Sequence, residues 1–138
     1  MVNSINVSWK KTKKNVEQLI KKYNYYNLSV DSTPLFGISD SFLLEKLSLD
    51  QIDDTYIKID YESKKQRINF INYVRFSFNK LTTDERKIIY WTYLDKENNY
   101  DDRFIANNLG FSLGYYYIKK KETLIRFAYS LGIEENIE

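Results

Sequence analysis

The stretch FIANNLGFSLGYYYIKKKETL, Phe104 to Leu124, decides how this chain is read. Ala106 and Gly110 stand four residues apart, with Ile105, Leu109 and Phe111 around them. Two helices that meet through a tight turn need a small residue where the second presses on the first. The turn needs a residue that accepts positive φ, which glycine does at no steric cost. Ala106 and Gly110 meet both demands, so the stretch predicts a short helix, a turn and a longer helix. Asp101 or Asp102 caps the first helix. Ser112 caps the second, because its hydroxyl oxygen can accept from a first-turn N–H that has no partner within the helix. Gly132 stops the second helix after Leu131.

The rotation of this last helix sets which residues face outward. Taking Leu124, Phe127, Ala128 and Leu131 as its buried stripe and stepping back by helical turns brings Leu113, Tyr116 and Tyr117 inward. Tyr115, Ile118, Lys119, Glu122 and Arg126 then face out, with Ser112 at the tip. Helix-turn-helix spacing counted from Gly110 instead turns Tyr117, Ile118 and Lys121 outward. The stripe is fixed by four residues and is the preferred reading. A DNA-reading helix inserts its N-terminal turns into the major groove. The candidate DNA-binding residues are therefore Ser112, Gly114, Tyr115, Ile118, Lys119, Lys120, Lys121 and Arg126. Ser112 and the amides behind it suit a phosphate. The lysines neutralise backbone charge, giving affinity that falls with salt and carries little sequence information. Tyr115 and Ile118 suit thymine methyls or sugars.

Upstream, LTTDE (Leu81–Glu85) is a helix start, with Thr82 as N-cap and Glu85 three residues on completing a capping box. Ile88, Ile89, Trp91 and Leu94 give that helix its buried side, and Asp95–Asn99 is a polar turn. Thr12–Tyr26 carries Val16, Leu19, Ile20 and Tyr23 at helical spacing with lysines opposite, an amphipathic helix. Tyr61–Leu81 repeats the pattern through Ile68, Ile71, Val74 and Phe78. Asn27–Ser41, with Pro34 and Gly37, reads as a connection, and Ser41–Leu49 as a short helix. Asp50–Asp60 fits a link or a helix equally.

Composition narrows the chemistry. The 138 residues contain no Cys and no His, which removes thiol nucleophiles, imidazole bases, disulfides and most zinc or iron sites. No constellation of carboxylate, Lys, Tyr or Ser suggests an enzyme, and no catalytic, metal or cofactor site is expected. Apolar content of 43%, with 13 Tyr and 8 Phe, suffices for a packed core. The net charge of +2 is banded. Six lysines face one acid in residues 1–30, eight acids face two lysines in 31–62, and five basic residues stand without an acid in 63–81. A chain so arranged can present a basic face while staying near neutral. Neither a membrane span nor a secretion signal is apparent, so a cytoplasmic protein is expected.

The stretch from Leu81 to Glu134 resembles the C-terminal part of ArpU-type phage transcriptional regulators. More distantly it is similar to the region-four module of sigma-70 factors. The landmarks are Leu81 with Glu85-Arg86, Tyr93-Leu94, Ile105-Ala106 and Leu109-Gly110, then Ser112, Tyr116-Tyr117, Phe127-Ala128 and Leu131-Gly132-Ile133. Lys11–Tyr23 is also similar to how such proteins begin. The resemblance implies a regulator in a bacterial host cell that binds promoter DNA and activates transcription with host RNA polymerase.

The expected fold is thus all-α, with N-terminal helices over 1–80 and a sigma region-four-like helix-turn-helix over 81–138. The expected partners are double-stranded DNA and RNA polymerase, with self-association left open. Two other readings stay open: a small terminase-like packaging subunit, and a protein-binding inhibitor of a host factor on the same scaffold.

Overall fold

The computed structural model describes residues 7–30, 40–48, 61–95 and 97–136. The stretch Asp50–Asp60 and residues 31–39 of the expected connection Asn27–Ser41 lie outside the described residues, while 27–30 belong to the first helix. The described residues form an all-helical fold. The helices are α1 (Trp9–Val30), α2 (Tyr61–Asn79), α3 (Thr83–Ile89), α4 (Asp102–Leu109) and α5 (Leu113–Leu131). No described helix is long and apolar enough to cross a membrane.

Local chemistry explains the ends of these elements. Thr82 Oγ1 accepts from the Glu85 amide at 3.3 Å, and Glu85 Oε1 accepts from the Thr82 amide at 2.9 Å, so the expected capping box starts α3. The helix then widens into a π-helical turn, Tyr90–Leu94, closed by the Asp95 amide donating to the Tyr90 carbonyl at 2.8 Å. Gly110 and Gly132 both take the left-handed conformation, with φ of 74° and 75°. In each case the next amide reaches back to an alanine carbonyl, Phe111 to Ala106 and Ile133 to Ala128, both at 2.9 Å. Both are Schellman stops, with an apolar side chain after the glycine folded back on the helix.

The large core joins α1, α2, the α3–π segment and α5 through Val16, Ile20, Ile71, Val74, Phe78, Ile89, Leu124 and Phe127. A smaller cluster of Ile88, Ile105, Ala106 and Tyr116 fastens α4 to the N-terminal half of α5. The two halves of α5 therefore live in different surroundings. Near its C-terminus Thr123, Leu124, Ile125, Phe127 and Ala128 are all buried, whereas near its N-terminus Tyr116 alone is fully so. The first and last described residues are pinned together as well. Val7 bridges Asn136, Ser8 donates its amide to the Glu135 carbonyl at 2.7 Å, and buried Thr12 Oγ1 accepts from the Glu135 amide at 3.0 Å.

The helix expected over Ser41–Leu49 is absent from its described part, residues 41–48. Phe42 sits at a φ of 58°, outside helical geometry, with its ring edge-on to Tyr90 and Trp91. Two asparagines of α2, seven residues apart, then satisfy the backbone that a helix would have paired internally. Asn79 bonds both the N–H and C=O of Leu44, and Asn72 both those of Leu47. Buried Arg75 adds a bond from Nη1 to the Glu45 carbonyl at 2.8 Å. The apolar residues Leu44 and Leu47 are buried, on an irregular segment clamped by α2.

Candidate nucleic-acid interface

The surface in question is the N-terminal half of α5 together with α4. Asp101 is the α4 cap, its Oδ1 accepting from the Phe104 amide at 2.8 Å. Asp102, the other candidate cap, has a different task. Its Oδ1 accepts from the Tyr116 hydroxyl at 3.0 Å and from Lys120 Nζ at 2.9 Å. Burial, reinforced by the bond to Asp102, pushes the Tyr116 phenol well above its usual range, so the hydroxyl remains a donor. Ala106 is buried against this same Tyr116 cluster, as the small-residue reading expected. At the tip of α5, Ser112 Oγ accepts from the Tyr115 amide at 3.2 Å.

Each proposed contact residue has a definite place. Ser112, Gly114, Tyr115 and Ile118 are exposed, with Tyr115 at 51% and Ile118 at 61%. The Tyr115 ring is braced edge-on by Phe111 at 4.8 Å. Lys119 is half-buried and Lys121 exposed, its ammonium 5.4 Å from the Trp9 ring centroid. That contact brings the lysine-rich start of α1, with Lys10, Lys11, Lys13 and Lys14, beside the middle of α5.

Lys120 and Arg126 stand apart from this group. Lys120 is held by Asp102, and Arg126 Nε lies 2.8 Å from Oε2 of Glu85, a carboxylate only 1% exposed. Arg126 thus neutralises a buried charge at the α3 end of the core, far along α5 from Ser112.

Tyr117 corrects the rotation taken from the four-residue stripe. It is 50% exposed and faces solvent, while its neighbour Tyr116 is fully buried. The stripe was projected from the part of α5 with the broader buried face, Thr123–Ala128. Toward the N-terminus the buried arc narrows to Tyr116 and half-buried Leu113, and Tyr117 falls outside it. The spacing counted from Gly110 is the signal that places Tyr117, Ile118 and Lys121 outward. On α4, Arg103, Asn107 and Asn108 are exposed as well.

The basic band 63–81 has one member that faces inward. Arg75 is 2% exposed and donates to Tyr23 Oη at 3.0 Å and Asn27 Oδ1 at 2.7 Å.

The outward arc of α5 is therefore amphipathic in an unusual sense: two phenol rings and a sec-butyl group project outward beside lysines. Glu122 is the one acid in the helix. No protein-family model, curated protein or solved structure matches the chain.

Proposed function

We propose that this protein is a DNA-binding transcriptional regulator in which α4, the turn at Gly110–Ser112 and α5 act as a helix-turn-helix. The observation that carries the reading is the divided character of α5. Its C-terminal half is a core element, whereas its N-terminal half presents Tyr115, Tyr117, Ile118 and Lys121 to solvent. Burying large apolar groups on an exposed helix face is favourable only through a partner. The lysines of α5 and of the start of α1 suit a polyanionic one.

In this reading the N-terminal turns of α5 enter the major groove. The amides at Ser112 approach a phosphate, and Lys119, Lys121 and the α1 lysines lie along the backbone. Lys120 and Arg126 serve the fold, through Asp102 and Glu85. The resemblance to ArpU-type regulators extends the proposal to promoter activation with host RNA polymerase. The test is nuclease footprinting of the purified protein across the genome that encodes it. The proposal expects a discrete protected site upstream of a gene. Absence of both protection and gel retardation on every fragment refutes it.

A further inference from the structure

We infer that the exposed face of α5 reads thymine methyl groups, one of which seats over Gly114 between Tyr117 and Ile118. The inference rests on the DNA-binding reading above and names what that surface recognises.

Base edges in the major groove are discriminated by forked hydrogen-bonding side chains, Arg on guanine and Asn or Gln on adenine, or by apolar contact with the C5-methyl of thymine. The outward arc of α5 holds Gly114, Tyr115, Tyr117, Ile118, Lys121 and Glu122, with no forked donor among them. The helix's only arginine, Arg126, is committed to Glu85. What the arc does present is apolar surface, flanked by lysines whose charge complements a phosphate backbone.

Gly114 points to the same ligand. Glycine disfavours a helix relative to alanine, and the fold gives no reason for it here. Its φ is not positive, and a β-carbon added there meets nothing within 4 Å. Residues three and four apart are neighbours on a helix, so Gly114 lies beside Tyr117 and Ile118. Beside these two large exposed side chains the missing β-carbon leaves the helix surface open to close approach. Glycine at such a point is explained by close approach of a ligand.

The experiment measures anisotropy of the full-length protein with labelled duplexes of alternating A·T steps, about three helical turns long. A second duplex carries deoxyuridine in place of thymidine, which removes the methyl and leaves pairing intact. The expected result is binding at least about fourfold weaker to the uracil duplex, the loss for one buried methyl-sized group, with equal salt slopes. Methylating C5 of cytosine in an alternating G·C duplex should raise affinity. Gly114→Ala should move the thymine-to-uracil ratio toward one while the melting temperature holds or rises. Equal binding of the thymine and uracil duplexes overturns the inference and leaves DNA binding standing. Binding to neither overturns both. A ratio unchanged in Gly114→Ala overturns the seat at Gly114.

Discussion

Replacing Tyr116 and Tyr117 by alanine, one at a time, separates two adjacent rings with opposite duties. Tyr116 is 0% exposed, packs with Ile88, Ile105 and Ala106, and donates to Asp102 at 3.0 Å. Deleting a buried aromatic ring costs about 3–5 kcal/mol. For 138 residues the unfolding entropy is about 0.29 kcal/mol/K, so each kcal/mol moves the melting temperature by about 3.5 °C. Tyr116→Ala should therefore melt about 10–17 °C below the wild type. Tyr116→Phe keeps the ring and removes only the bond to a carboxylate, about 1.5–3 kcal/mol or roughly 5–10 °C. Tyr117 is 50% exposed and rests against the Tyr116 ring at 5.8 Å between centroids. Its deletion should cost about 1 kcal/mol or less. It should nonetheless weaken duplex binding, because the ring lies on the outward arc. Thermal unfolding followed by circular dichroism, paired with anisotropy on duplex DNA, reads both effects. If Tyr117→Ala destabilises as much as Tyr116→Ala, or binds DNA like the wild type, the division of α5 into a core half and a reading half is wrong.

Lys121→Ala should lower the magnitude of the slope of log affinity against log salt by about one. Arg126→Ala should leave that slope unchanged and melt earlier, since buried Glu85 loses its cation. Arg75→Met should cost about 3 kcal/mol or more in urea unfolding, because it removes the buried donors to the Tyr23 hydroxyl, the Glu45 carbonyl and the Asn27 amide oxygen. It should also speed proteolysis within 40–48. Burial, aided by Asp95, pushes Tyr90 up to about 12, and burial also raises Tyr93 and Tyr116. Raised phenols favour the protonated fold, so their contribution is complete below pH about 10 and is lost as pH climbs through the folded values. A tyrosinate absorbance titration should show a late phase coincident with unfolding. A single phase at ordinary tyrosine pH, with the fold intact, would contradict the burial of these rings.

The helix boundaries were legible because they rest on local chemistry. Thr82 with Glu85, Asp101, Ser112, Gly110 and Gly132 each act within a few residues of their own position. The rotation of α5 was only half legible, since a single stripe presumes constant surroundings along a helix. Here the buried arc is broad at Thr123–Ala128, taking in Thr123, Leu124, Ile125, Phe127 and Ala128, and shrinks to one ring at Tyr116. The long-range ties were not legible at all. Arg126 finds Glu85, and Asn72 and Asn79 take over the backbone of Leu47 and Leu44, across spans that carry no periodic signal. The same applies to Lys120, whose place in a run of three lysines gives no hint of Asp102.

The most direct test of the central claim is to follow backbone amide resonances during titration with duplex DNA. The account expects the largest shifts at Ser112 to Ile118 and Lys121, with smaller ones at Arg103 and the lysines opening α1, while Arg126 and the Arg75 cluster stay still. Shifts confined to α2 or the C-terminal half of α5, with the Ser112–Lys121 amides unmoved, would contradict it.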